Sequence, residues 1–285
     1  MFWMRNAIWS VAAVAALCAA GAGAEEGPVV LENARLRIEL DPVLFSVSFI
    51  GFPGGVNFVE PQHVDEGARQ GKGWLDPGGL TTDLVPLEGQ DAALRRGPGE
   101  VIERDAAHVV VLGAESEALG VRLKKELRLD GDAARAWYIV TALSTRAEGP
   151  SVCVRTGARL AAGATARIPK QGGTFAPMHA EPKAPWAVVN SREYWLVPVP
   201  PTARVAGLVL GGVVAGVEVE NRSGIWKRRF TQPPTDPARL WNGVTVLCVL
   251  DDKTRSYGLS LQGAQAPLTA ATPLQLTEEW TFEER

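Results

Sequence analysis

The first chemistry in this sequence is charge placed on faces that strand alternation reserves for apolar side chains. In Val121-Arg122-Leu123-Lys124-Lys125-Glu126-Leu127-Arg128-Leu129, Lys125 shares a face with Val121, Leu123, Leu127 and Leu129. In Leu274-Gln275-Leu276-Thr277-Glu278-Glu279-Trp280-Thr281-Phe282, Glu278 falls with Leu276, Trp280 and Phe282. Arg155 and Arg159 share a face with Cys153. A charge on a buried face is costly unless it is paired or lines a wet cleft. The set reads as a polar site sunk into a sheet, as structural ion pairs, or as bulges that return the charge to solvent.

A second group falls in two stretches without clear periodicity, 60–90 and 161–185, each longer than an ordinary connection. The first holds His63, Trp74, Asp76 and Asp83, and the second Phe175, Met178 and His179, with Trp186 just beyond it. Long loops of this kind often carry function, which makes these residues the expected walls of a site. Other constellations fail. Gly258-Leu259-Ser260-Leu261-Gln262 lacks the closing glycine and the helix of a nucleophile elbow. No phosphate loop, zinc-protease histidine pair or calcium loop is present, so no metal or cofactor is expected. In Trp226-Lys227-Arg228-Arg229-Phe230 the three charges read as a solvated strand face.

Strands must position these residues, and the chain is strand-like almost throughout. Leu36, Ile38 and Leu40 alternate with Arg35, Arg37 and Glu39, and 45–52 continues the pattern to a Pro53-Gly54-Gly55 turn. Further strands are predicted over 101–103, 108–112, 119–129, 135–144, 152–160, 195–199 and 205–210. Others follow over 213–219, 225–231, 244–250, 257–261 and 274–282. A dozen or more short strands with Gly, Pro and Asp turns between them call for an antiparallel, all-β fold of two sheets or a closed barrel. Composition agrees: 30 Gly and 20 Pro in 285 residues leave little room for long helices, and 46% hydrophobic content is too high for disorder. With 29 basic against 32 acidic residues, no electrostatic footprint for nucleic acid appears.

Residues 1–24 have Arg5 as their only charge, an apolar stretch, and Ala22-Gly23-Ala24 before Glu25-Glu26. That is the pattern of a secretory signal peptide cleaved after Ala24, which predicts a secreted or periplasmic protein without an integral membrane segment. Residues 25–285 contain no linker or low-complexity tract and are read as one large domain. In an oxidising compartment Cys153 and Cys248 either pair or remain two buried thiols.

Several segments together resemble the galactose-mutarotase-like superfamily, in particular its uncharacterised bacterial branch. They are Leu31-Glu32-Asn33-Ala34-Arg35-Leu36, the return strand to Gly51, the Gly-Gly turn and Asn57. The loop Trp74-Leu75-Asp76-Pro77-Gly78-Gly79, the strands over 121–129 and 137–143, and the late Glu278-Glu279-Trp280 extend it. The resemblance implies an antiparallel β-supersandwich in which one concave sheet holds sugar. Active mutarotases resemble one another in two site histidines and a late carboxylate, because ring opening needs an acid and a base. This chain has only His63, His108 and His179, and His108, at the head of Val109-Val110-Val111, reads as structural.

Three functions follow as expectations. The first is an exported carbohydrate-binding or carbohydrate-processing accessory protein. In it Trp74 and Trp186 offer flat faces to a pyranose, while Asp76, Asp83, Lys125 and Arg155 bind its hydroxyls. The second is an aldose 1-epimerase-like enzyme that uses His179 or His63 with Glu278 as acid and base. The third is a non-catalytic structural envelope protein. The partner expected in the first two is a sugar or glycan.

Overall fold

A computed structural model describes residues 28–42, 46–60, 79–86, 94, 98–170, 175–180, 189–199, 208–251 and 256–285. Residues 1–27, His63, Trp74, Asp76 and Trp186 lie outside the described residues. In chain order the strands are β1 Val29–Glu32, β2 Arg37–Asp41, β3 Ser46–Gly51, β4 Leu80–Val85, β5 Glu100–Arg104, β6 His108–Leu112 and β7 Val121–Leu129. There follow β8 Arg135–Ser144, β9 Ser151–Arg159, β10 Thr165–Pro169, β11 Phe175–Ala180, β12 Val189–Asn190, β13 Tyr194–Pro198 and β14 Leu208–Gly212. The last are β15 Gly216–Asn221, β16 Gly224–Phe230, β17 Val246–Asp251, β18 Ser256–Gln262, β19 Ala266–Pro267 and β20 Leu274–Glu284.

The large sheet runs β12-β13-β10-β15-β16-β20-β8-β7-β6-β5. A smaller sheet of seven strands runs β11-β14-β17-β18-β9, with β4 and the short β19 also paired to β9. A three-stranded sheet β1-β2-β3 stands beside it, and an antiparallel bridge between Val59 and Leu160 joins the two. The ladders are antiparallel, so each strand alternates its faces, and the apolar faces of all three sheets enclose one core. The fold is therefore all-β, an antiparallel β-supersandwich. Among the described residues no helix is long and apolar enough to cross a membrane.

The core is densest where β16 and β20 run side by side. Trp226 packs edge-on against Trp280 at 5.2 Å between ring centroids, and stacks on Phe282 at 6.1 Å. Each such aromatic pair contributes roughly 0.5–1.5 kcal/mol beyond its buried area. Phe52 and Phe58 extend the cluster to the exit of β3, where Asn57 accepts from the backbone N–H groups of Ile50 and Val59.

Three sequence expectations need correction. The stretch 60–90 contains β4, whose residues are buried on both sides except Thr81, so no alternation marks it. The stretch 161–185 contains β10 and β11; prolines at 169 and 177 hide them, and the register of β11 shifts between Pro177 and His179. The basic run in β16 is not solvated throughout: Lys227 and Arg229 face outward, whereas Arg228 is fully buried between Trp226 and Phe230.

Cys153 and Cys248 are both buried, and no disulfide joins them to each other. Cys248 is level, through Leu259 of β18, with Ala158 of β9, five residues along the strand from Cys153, which holds the two backbones roughly 19 Å apart, whereas a disulfide needs Cα atoms within about 7 Å. Cys248 also faces the core while Cys153 faces away from it. Burial pushes the Cys248 thiol up to about 12. Thiol titration of the protein unfolded without reductant is expected to find both Cys153 and Cys248 reactive; their absence from the count would overturn this geometry.

Candidate functional site

Alternation divides β9 into two faces. Val152, Val154, Ala158 and Leu160 lie in the core with Thr156, and Cys153, Arg155, Gly157 and Arg159 turn the other way. Register carries the outward face across the neighbouring strands. Thr81, Gly157 and Ser260 form one row, Asp83, Arg155 and Gln262 the next, and Arg159 with Gly258 a third. This outward face of the smaller sheet is a polar floor over an apolar core.

Its centre is bare backbone. A Cβ on Gly157 would lie 2.4 Å from Thr81 Oγ1 and 3.1 Å from Ser260 Oγ, so the two hydroxyls converge on the glycine from either side. At Gly258 a Cβ would meet nothing within 4 Å. Beside this centre Arg155 Nη2 pairs with Asp83 Oδ2 at 3.1 Å, with side-chain exposures of 15% and 7%. On the other side Arg159 Nε lies 2.7 Å from Glu60 Oε2. Gln262 Nε2 donates to the Val244 carbonyl at 3.1 Å, which fixes its amide. Gly79 seats β4 here: its N–H donates to Glu60, its carbonyl accepts from Arg159, and its φ of 71° suits glycine. A Cβ at that position would overlap the Val47 carbonyl at 1.8 Å.

Lys125 belongs to the core side of β7 in the large sheet. Burial pushes its ammonium down to about 8, against the Asp83 carboxylate, which raises it. Asp83 is the ion-pair partner of Arg155, and Lys125 feels its charge from the core side.

Glu278 lies elsewhere. It is 0% exposed on the core side of β20, where Arg228 Nε donates to its Oε2 at 2.8 Å and Nη2 to its Oε1 at 2.9 Å. Thr156 Oγ1 also donates to Oε1, and Trp280 Nε1 donates to Oε2 at 2.8 Å. Neighbouring residues of β9 therefore serve two separate polar clusters: Thr156 reaches Glu278 across the core, while Arg155 reaches Asp83 on the outer floor.

Of the residues singled out from the sequence, Asp83 and Arg155 pair on the outward face, whereas Lys125 and Glu278 lie on the core side of the large sheet. His179 pairs with Val209, which continues through Val249 and Gly258 to Arg159 in one register row. Its backbone lies four strands from Arg159, roughly 19 Å along the sheet. His108 sits on the large sheet, its Nε2 3.2 Å from Glu126 Oε1, in a structural pairing away from the floor. Thr81, Gly157, Ser260 and Gln262 were missed. Alternation in Leu259-Ser260-Leu261-Gln262 carried the signal for the last two, since both leucines are core.

A floor of this kind supplies converging hydroxyls and carboxylate–guanidinium pairs in a partly desolvated setting. Such groups hydrogen-bond both donor and acceptor ends of ligand hydroxyls, and low local dielectric strengthens each bond.

No family model matches the chain, and no curated protein does. Solved structures do share its fold. A candidate aldose 1-epimerase from Escherichia coli K12 superposes with a TM-score of 0.59 at 11% identity, covering 91% of this chain and 99% of that one. A galactose mutarotase-like protein from Lactobacillus casei gives 0.55 at 9% identity, covering 90% and 100%. A galactose mutarotase related enzyme from Lactobacillus acidophilus gives 0.50 at 9% identity, covering 90% and 98%. Both the layering of the sheets and nearly the whole length of these structures are matched, and the chain has the fold of the galactose-mutarotase-like superfamily.

Proposed function

We propose that the protein is an exported carbohydrate-binding protein, secreted or periplasmic, that seats a sugar on the outward face of its smaller sheet. The observation that carries this reading is the convergence of Thr81 and Ser260 over the bare backbone of Gly157, flanked by the Arg155–Asp83 and Arg159–Glu60 pairs. Planar charged pairs suit neighbouring ring hydroxyls, and a glycine lets the ring approach the sheet. The leader pattern of residues 1–24 supports export. In this reading Trp74 and Trp186 serve as apolar plates for the ring, with Asp76 beside it.

Glu278 favours binding over mutarotase chemistry, because its two oxygens are sealed in the core and engaged by Arg228, Thr156 and Trp280. Ligand-observed NMR against a panel of monosaccharides and oligosaccharides is expected to detect at least one sugar. Arg155→Leu should weaken it by roughly 10- to 100-fold, the effect of losing a charge-assisted hydrogen bond. The same spectra follow anomer exchange, which the protein should leave at its spontaneous rate. A folded protein that binds no sugar on the panel would sink the proposal. Exchange accelerated by the wild type and abolished by Glu278→Gln would restore the enzymatic reading.

A further inference from the structure

Three adjacent strands carry the floor, and each is gripped from the core side at the residue between its floor residues. On β4, Thr82 separates Thr81 from Asp83, and its Oγ1 shares a 2.8 Å hydrogen bond with Tyr138 Oη of β8. On β9, Thr156 separates Arg155 from Gly157. Its hydroxyl donates to Glu278 of β20, while its carbonyl and Oγ1 accept from Arg228 Nη2 at 3.4 and 3.3 Å. On β18, Leu259 separates Gly258 from Ser260, and its carbonyl accepts from Arg228 Nη1 at 2.8 Å. The grips come from β8, β16 and β20, three consecutive strands of the opposite sheet.

We infer that Arg228, Glu278 and Tyr138 are positioning residues for the floor: they fix the height and spacing of β4, β9 and β18, and so the convergence of Thr81, Ser260 and the Arg155–Asp83 pair. Arg228 is the centre of the device because one planar guanidinium spans Glu278, Thr156 and Leu259, joining two site strands to the large sheet with a fixed fork geometry. An apolar core would hold the sheets together equally well but would leave the strands free to slide by the small distances that hydroxyl recognition does not tolerate. All of these groups lie on the core side of their strands, opposite the floor, so none of them touches a ligand seated on it. The inference rests on reading the outward face as the sugar site, but its test has a readout independent of any sugar.

The test compares the purified wild type with Arg228→Met/Glu278→Leu, and with Tyr138→Phe, which removes only the phenolic hydroxyl. Each is labelled with 15N and followed by amide chemical shifts, melting temperature and binding to the sugar panel. The double variant is expected to fold with shifted or broadened amide signals at Gly157, Gly258 and Ser260, and Tyr138→Phe to confine its changes to Thr81 and Asp83. Where the wild type retains a sugar, the double variant should lose at least tenfold in affinity. Folded variants with unmoved floor signals would overturn the inference, as would affinity equal to wild type. A wild type that binds no sugar but shows the expected amide shifts would sink only the sugar reading. Should the double variant fail to fold, Tyr138→Phe decides on its own: displaced Thr81 and Asp83 signals support positioning, and unmoved ones reject it.

Discussion

Arg228→Met alone is expected to destabilise the fold by about 3–5 kcal/mol, the usual consequence of stranding one member of a buried ion pair. Both partners are 0% exposed, so no water replaces the lost guanidinium. Glu278 would keep only the donors from Thr156 and Trp280, and the Leu259 carbonyl would lose the Arg228 bond. Glu278→Leu alone should cost a similar amount by stranding Arg228. Removing both charges together should recover most of the loss, because shape-matched apolar pairs replace buried ion pairs at little net cost. Recovery stays incomplete here: the Trp280 N–H and the Thr156 hydroxyl lose an acceptor, so about 2 kcal/mol should remain. Urea unfolding of the two single variants and the double one closes the cycle. A single-variant loss below about 1 kcal/mol would show that the pair is not sealed from water.

Glu278 and Arg228 also show how far a sequence reaches into such a core. Glu278 was legible because it stands among Leu276, Trp280 and Phe282 at a period of two, which is a local signal. Its partner was not, since Arg228 hides between Lys227 and Arg229, and three consecutive charges look like a wet surface whatever the parity. Only the pairing of β16 with β20, which sets Arg228 opposite Trp280, brings the two together. Strand β4 failed for a different reason: a strand covered on both faces has no alternation to read, so Leu80-Thr81-Thr82-Asp83 looked like loop. Arg155 and Asp83 were singled out separately, from a parity argument and from a loop, but their contact depends on the β4–β9 ladder across 72 residues of chain. Local pattern thus exposes which charges face inward, and long-range register decides which of them form one site.

Lys125, buried and within the field of Asp83, carries the clearest dependence on pH. A lysine whose folded pKa lies below its unfolded value of 10.5, here about 8, costs stability while both states are protonated. Below pH 8 that cost is fully present. Between pH 8 and 10 the unfolded chain still holds the proton that the folded one has released, so stability should rise with pH. By pH 10 the gain attributable to Lys125 should be about 2.5 kcal/mol, close to two pH units at about 1.36 kcal/mol each. Tyr138 works in the opposite sense, because burial raises its phenol above 10, and this confines the informative window to pH 10 and below. Lys125→Met removes the titrating group, so the difference between wild type and variant isolates it. Asp83→Asn should move the window the other way: without the carboxylate that raises Lys125, its amine releases the proton sooner and the rise begins below pH 8. The same substitution takes the counter-ion from Arg155, so sugar affinity should fall with it, whereas Lys125→Met leaves the Arg155–Asp83 pair in place. Denaturant midpoints at intervals from pH 7 to 10 check both directions. A wild-type curve that runs parallel to that of Lys125→Met across the window would mean that Lys125 keeps an ordinary amine pKa and that water reaches it.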